Sequence, residues 1–301
     1  MTATLPATAT AATRSSRLVP RGPAWVVLRV HRTALVFWGL AVTAAVAALI
    51  WMHAIGDEAR LGMIGCAEPP VDGLPSCAAA EAITVDDTYQ AVISMIATSL
   101  SYSIFCVAAW AGGSLVGREL ENGTARLAWT QSVTPARWLA AKLTVPAALI
   151  TAGTGGVALA HVWARGDDDM VGDWYHSDVF LGTGPTAVAY PLAGLALGAL
   201  AGLLLRRALP AAGVGFAVAL VLYNVLERSR EHLWPTVTLV EAGGVEQIRS
   251  AWWLSSGAPT RATVHPRSHF WPLQLVETGI LLAVAATATL VAFRLLRRRT
   301  P

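Results

Sequence analysis

The sequence predicts an all-α polytopic membrane protein with six transmembrane helices, and three observations support that fold class. Hydrophobic residues make up 54% of the chain and charged residues only 14%, with a mean hydropathy of +0.52. Stretches without Asp, Glu, Lys or Arg, such as residues 88–117 and 143–164, can cross about 30 Å of hydrocarbon as helices. Basic residues concentrate in alternate connecting segments, as expected of a multi-pass protein.

The N-terminal region divides into a polar tail and a short amphipathic segment. Residues 1–22 are rich in Ala and Thr and lack an apolar core, which predicts a disordered tail, neither a signal peptide nor a span. Residues 23–32 place Trp25 and Leu28 beside Arg29 and His31. This pattern is typical of an amphipathic helix lying at the inner membrane face, although a plain flank of the first span would read the same way.

The remaining residues to 299 form one predicted transmembrane domain. Its spans are expected at about residues 33–55, 88–111, 143–163, 186–205, 208–226 and 272–293. The outer loops are then residues 56–87, 164–185 and 227–271, of which the first and last are large. The last contains several Trp and Pro residues, which suit either short helices dipping into the outer leaflet or a small folded cap.

Charge distribution orients the chain. With both termini in the cytoplasm, the inner segments hold 15 of the 22 basic residues and only two acids, Glu119 and Glu121. The other side then holds seven basic residues and the other 17 acids, including the acidic run of residues 167–169. The positive-inside rule therefore selects this orientation, in the plasma membrane.

The positions of the three cysteines agree with this orientation. Cys66 and Cys77 both lie in the first outer loop, separated by ten residues, so a disulfide between them is expected in an oxidising compartment. Cys106 lies in the second span and is interpreted as an inert apolar residue.

The charged inner loop of residues 117–142 separates two long apolar runs. Gly123 follows Asn122 where a helix could end in the left-handed conformation, and Thr134 with Pro135 is a typical start of the next helix. Between these signals, residues 124–132 predict a short helix that lies along the interface or docks on a soluble partner.

Polar residues inside the spans form stripes at helical spacing. Their members are Gln90, Ser94, Thr98 and Ser101 on the second span, and Thr144, Thr151, Thr154 and His161 on the third. They could line a substrate path, or they could be hydrogen bonds between and within helices. Gly194, Gly198 and Gly202 predict close helix packing. Glu277, the one acid inside a span, is compatible with a functional or a hydrogen-bonded structural role.

Enzymatic and nucleotide-binding motifs are absent from the sequence. Lys142, the only lysine, does not lie in a GxxxxGK[ST] loop, and there is no HExxH or GxSxG motif. No metal site is predicted, because residues 167–169 read as a solvated acidic turn. No nucleic-acid binding is expected, because the basic residues follow the inner membrane boundary, where they would meet anionic lipid.

The inner loop, GRELENGTARLAWTQSVTPARWLAAKL, resembles that of ABC type 2 transporter permeases, especially the actinobacterial ones. The pattern of that family is RE.E.GT..L....S..R.L..K, matched here by Arg118, Glu119, Glu121, Gly123, Thr124, Leu127, Ser132, Arg137, Leu139 and Lys142. The segment HPRSHFWPLQLVE before the last span also resembles these permeases, with His269 where Arg is more usual.

The resemblance implies a permease subunit that carries no ATPase, exports a hydrophobic or amphipathic compound, and pairs with a second permease copy. Two separate ATP-binding subunits would then hold ATP and Mg²⁺, and this chain would bind no cofactor. The expected ATPase contacts are Arg118, Glu119, Glu121, Gly123, Thr124, Arg126, Leu127, Trp129 and Gln131. Trp129 could instead anchor at the lipid interface. Two other functions stay open: a non-transporting scaffold or sensor, and an intramembrane enzyme using His161 with Glu277.

Overall fold

The computed structural model describes residues 22–63, 76, 85–131, 133–166, 173–240, 251–256 and 261–299. Several predictions concern residues outside these ranges: the tail up to residue 21, the Cys66–Cys77 disulfide, Ser132 and the acidic turn at residues 167–169. Within the described residues, six helices are long and apolar enough to cross a membrane. The predicted all-α polytopic fold class is therefore confirmed.

A short helix precedes the spans. Helix α1 (Pro23–Val30) begins at a proline, which suits the first helical position. It packs against the later helix Pro135–Arg165, and Val27 is buried. Helix α2 (Arg32–Met63) contains the first span, and little of its surface is buried in the monomer. Its exposed apolar side chains, including Phe37 and Leu40, are therefore free to face lipid.

The second span differs from the prediction at its inner end. Helix α3 runs from Val85 to Glu121, as an α-helix over Val85–Trp110, a π-helix over Ala111–Gly117 and a last α-helical turn over Arg118–Glu121. The span and the first part of the inner loop are therefore one continuous helix.

The rest of the chain supplies four more spans, one of which is the central helix of the bundle. After α4 (Thr124–Thr130), the helices are α5 (Pro135–Arg165), α6 (Ser177–Thr183), α7 (Thr186–Leu205), α8 (Ala208–Ser229) and α9 (Phe270–Arg299). Short 3₁₀ turns lie at Arg230–His232 and Arg267–His269. Helix α7 is the most buried span, and it packs against α3, α5, α8 and α9.

Close packing around α7 depends on glycine, as the sequence predicted. A Cβ atom placed on Gly194 would lie 2.5 Å from the carbonyl oxygen of Ile104, and one on Gly202 would lie 2.8 Å from Cβ of Val116. Gly198 directly faces the Ala108 carbonyl. A side chain at any of these positions would push α3 and α7 apart.

The last outer loop contains a three-stranded antiparallel sheet with the order β1–β3–β2. Its strands are β1 (Val237–Val240), β2 (Trp252–Ser256) and β3 (Arg261–His265). Val264 of β3 pairs with Val237 on one side and Trp253 on the other. Of the two alternatives for this loop, its described residues form the small folded cap.

Candidate functional site

The short helix α4 is held between two end signals. Gly123 at its start has φ = 72°, the left-handed conformation that favours glycine, and its carbonyl accepts hydrogen bonds from the N–H groups of Arg126 and Leu127. After α4, the Thr134 side chain caps α5 by accepting a hydrogen bond from the N–H of Arg137 at 3.3 Å. Both local predictions are confirmed.

Helix α4 presents one exposed face and one packed face. Ala125 is buried against the bundle, whereas Arg126, Thr130 and Gln131 are exposed. Leu127 has 59% of its surface exposed, although the helix has an apolar core beside it. Leu127 and Arg126 are therefore both accessible on this face of α4.

Glu119 ties the end of α3 to α5. Its Oε1 accepts a hydrogen bond from Nζ of Lys142 at 2.5 Å, and its Oε2 accepts one from Nε1 of Trp138 at 3.0 Å. The Lys142 side chain is 3% exposed and that of Glu119 is 19% exposed. The carboxylate of Glu119 therefore holds the loop to α5, and its expected contact with the ATPase stays a prediction.

Glu121 makes a second internal link. Its Oε2 accepts a hydrogen bond from the backbone N–H of Ala208, the first residue of α8, at 2.8 Å. A carboxylate there satisfies a free N–H group of the helix and opposes the positive end of its dipole. Arg118 is exposed, and the Thr124 hydroxyl donates a hydrogen bond to the Glu119 carbonyl, which closes the turn before α4.

Trp129 lies on the packed face of α4. Its ring makes an edge-to-face contact with Trp138, at a centroid distance of 5.7 Å, and it adjoins the apolar core at this end of the bundle. Its Nε1 is buried without a hydrogen-bond partner among the described residues. The structure thus divides the predicted contact set: Arg126, Leu127 and Gln131 face outward, while Trp129 faces the bundle.

His31, at the end of α1, joins the same network. Its Nε2 lies 3.5 Å from Nζ of Lys142, and its ring packs edge-to-face on Trp110. Burial, and secondly the neighbouring Lys142 ammonium, lowers the pKa of His31 to about 4. The imidazole is therefore neutral at neutral pH, and it can accept a hydrogen bond from Lys142.

Two adjacent cavities open beside this network. The larger, of about 700 Å³, lies between α1, α3 and α5 and is lined by polar groups that include His31, Arg118 and Glu119. The smaller, of about 320 Å³, is an almost wholly apolar groove between α2, α3 and α5. Ala34 and Trp110 line both, so a chamber with polar and apolar walls adjoins an apolar groove at this end of the bundle.

The polar residues predicted as a substrate path do not form one group. Gln90 and Thr151 are exposed, and Ser94 and Thr98 are half-buried. Ser101 and Thr154 are buried and donate hydrogen bonds to carbonyls four residues earlier in their own helices. His161 is buried with Nε2 3.3 Å from the Ile93 carbonyl oxygen. The buried members therefore show the packing role that the sequence left open, and the path stays a prediction.

Glu277 takes part in a buried polar cluster toward the other end of the bundle. Its Oε1 accepts a hydrogen bond from the Tyr190 hydroxyl at 2.5 Å, and its Oε2 accepts one from Nε of Arg230 at 2.9 Å. Arg230 also donates to Ser177 and lies over the Phe180 ring. Both charged side chains are 2% exposed or less. Because Ser177, Tyr190 and Glu277 belong to α6, α7 and α9, and Arg230 follows α8 directly, the cluster joins the ends of these four helices.

This cluster bears on the enzyme alternative. Both oxygens of Glu277 are engaged by Tyr190 and Arg230, whereas His161 bonds to the Ile93 carbonyl. Each residue of the suggested His161–Glu277 pair thus has other partners. Sequence reasoning missed Arg230 and assigned it to the outer loop; a buried acid in a span should have prompted a search for a basic partner.

The described residues form six helices long and apolar enough to cross a membrane, with a short exposed helix at one end of the bundle. The chain belongs to the ABC-2 membrane transporter related family, whose model matches residues 37–230. This family supplies a membrane transport component that is not itself the ATPase, and membership implies association with an ABC ATPase subunit. No curated protein and no solved structure matches the chain.

Proposed function

We propose that this chain is the permease subunit of an ABC exporter of the actinobacterial type, and that α4 is its docking helix for the ATPase. ATP and Mg²⁺ bind the ATPase, and the permease supplies the path for a hydrophobic or amphipathic small molecule, peptide or lipid. The observation that carries the proposal is the arrangement of α4, whose outer face exposes Leu127 and Arg126 while Glu119 and Glu121 fasten its base.

The arrangement of α4 supports mechanical coupling. A force on α4 reaches α3 through the continuous helix, α5 through Glu119 and Lys142, and α8 through Glu121 and Ala208. The π-helical segment Ala111–Gly117 directly precedes the last turn of α3, and it packs against α7 and α8. Nucleotide-driven movement of the ATPase would therefore tilt three spans together, which favours one access state over the other.

The complex we propose contains two identical permease copies and two ATPase subunits in the plasma membrane. The charge distribution favours both termini on the cytoplasmic side, because 15 basic residues then face inward against two acids. The paired cavities favour an amphipathic substrate, because a chamber of about 700 Å³ with polar and apolar walls adjoins an apolar groove.

Co-purification with a candidate ABC ATPase tests the proposal. Leu127→Asp in the full-length permease should reduce ATPase recovery by at least about tenfold, because a charged group replaces an apolar anchor of the interface. Permease abundance in the membrane should not change, because Leu127 is exposed. Trp234→Ala, a change at an exposed residue before β1, is the matched control and should leave recovery at the wild-type level. Equal recovery from the Leu127→Asp variant would contradict docking through α4.

The scaffold alternative makes a different prediction. A non-transporting scaffold would also bind a cytosolic partner through α4, but substrate would not stimulate ATP hydrolysis in proteoliposomes. Ligand-stimulated hydrolysis that is lost in the Leu127→Asp variant favours the exporter.

A further inference from the structure

A third, smaller cavity lies beside α4. It has a volume of about 90 Å³ and is lined by Arg126, Arg206, Arg299, Trp129 and four leucines. In the part of the chain that the structure describes, no carboxylate lines it. Three arginines around one small cavity without an acid form an uncompensated positive site.

The three arginines come from separate parts of the fold. Arg126 belongs to α4, Arg206 directly follows α7, and Arg299 ends α9, where its Nη1 donates a hydrogen bond to the Leu203 carbonyl at 2.8 Å. Arg206 adopts φ = 56°, a left-handed conformation that is costly for a residue with a side chain. The fold thus brings three positively charged side chains to one cavity, where they repel each other.

Trp129 supplies an independent indication of a ligand. It lines the same cavity, and its indole Nε1 is buried without an acceptor in the described part of the chain. A buried donor without a partner is unfavourable, so an anionic acceptor at this site would stabilise the protein. The volume suits a single tetrahedral oxyanion.

We infer that this cavity binds the phosphate group of an anionic phospholipid. Arg206 and Arg299 lie at the ends of two spans, and therefore at the depth of the phosphate layer. The guanidinium groups match phosphate geometry, and the leucines Leu120, Leu203, Leu295 and Leu296 adjoin the acyl region. A lipid held there joins α4 to the ends of α7 and α9. The proposed ATPase docking is tested at Leu127, which does not line the cavity, whereas Arg126 borders both surfaces.

Native mass spectrometry of the purified permease tests the inference, with phosphatidylglycerol and phosphatidylcholine as the two lipid probes. The wild-type chain should retain phosphatidylglycerol preferentially, and Arg206→Gln should weaken retention about fivefold, the effect of one basic residue near an anionic surface. Arg206→Asn should weaken retention to the same extent. It is the second variant because Asn tolerates the left-handed backbone of this position. Trp129→Phe should weaken retention while keeping the ring. Arg207→Gln, an equal charge change next to the cavity, is the matched control and should retain lipid as the wild type does.

Three outcomes would overturn the inference. The first is equal phosphatidylglycerol retention by the wild-type, Arg206→Gln and Arg206→Asn chains. The second is displacement of the lipid by inorganic phosphate at equal concentration, which would mean a site for free phosphate. The third is a loss of ATPase affinity in Arg206→Gln with unchanged lipid retention, which would assign the cavity to an acidic side chain of the partner.

Discussion

Glu119 and Lys142, 23 positions apart in the chain, form a nearly buried ion pair at 2.5 Å that connects the end of α3 to α5. The Trp138 indole and His31 complete its surroundings, so α1, α3 and α5 meet at this point. Because α4 connects α3 to α5 in the chain, the ion pair fixes the base of the proposed docking helix.

Breaking this pair should loosen the base of α4. Glu119→Gln leaves the Lys142 ammonium buried beside a neutral partner, which should lower the free energy of unfolding by about 1–3 kcal/mol. Thermal unfolding in detergent micelles measures the change. The double variant Glu119→Gln with Lys142→Met removes both charges and should lose less than the sum of the two single changes. Strict additivity would show that the pair contributes no coupling.

Glycine packing between α3 and α7 makes a second prediction. Gly198→Ala places a methyl group against the Ala108 carbonyl, a backbone atom that cannot move alone, and should destabilise the protein by about 1–3 kcal/mol. Gly213→Ala in α8 is the matched control, because a Cβ there meets open space. The control should be neutral or stabilising by up to about 1 kcal/mol. Equal melting temperatures for the two variants would argue against the observed approach of α3 and α7.

The buried Arg230–Glu277 pair makes a third prediction. Glu277→Gln leaves the Arg230 guanidinium buried without its counter-charge and should cost about 3–5 kcal/mol. Replacing both residues, as Arg230→Met with Glu277→Leu, should cost much less, because no unpaired charge stays buried. Glu231→Gln, at a partly exposed neighbour, is the control and should cost under about 1 kcal/mol. If Glu277→Gln is neutral for stability but abolishes transport, the residue is functional and not structural.

The part of the fold that could be predicted from sequence depends on local signals. Gly123 and Thr134 act within four residues of their own positions, so their roles are visible in the sequence. The spans follow from apolar length, and the Gly194–Gly198–Gly202 ridge from its helical spacing. These predictions needed no knowledge of which helices are neighbours.

The remaining features depend on long-range contacts. Glu119 and Glu121 look like exposed loop acids in sequence, and only the fold shows that Lys142 and Ala208 bind them. The packing of Trp129 against Trp138, nine positions later, also becomes visible only in the fold. In the sheet between α8 and α9, β1 pairs with β3 over more than 20 positions, and such short strands leave little periodicity in the sequence.

A fourth prediction concerns pH and His31. The ordinary pKa of histidine is 6.5, and burial lowers that of His31 to about 4, so the unfolded chain binds a proton in a range where the folded protein does not. The free energy of unfolding should therefore fall as the pH drops from about 6.5 toward about 4, and His31 should contribute nothing to this dependence above that range. In chemical unfolding of the His31→Asn variant, the free energy of unfolding should decrease less between pH 7 and pH 5 than it does for the wild type. An identical pH profile would mean that His31 is solvated in the folded protein.

The central claim is that α4 faces the cytoplasm and is covered by an ABC ATPase, and labelling of a Leu127→Cys variant with a membrane-impermeant maleimide tests it most directly. We expect this cysteine to react in inside-out vesicles and not in intact cells, relative to the chain without the substitution. Binding of the ATPase should then protect it. Reaction in intact cells would place α4 on the exterior and contradict the account, and undiminished reaction in the presence of bound ATPase would contradict docking through this helix.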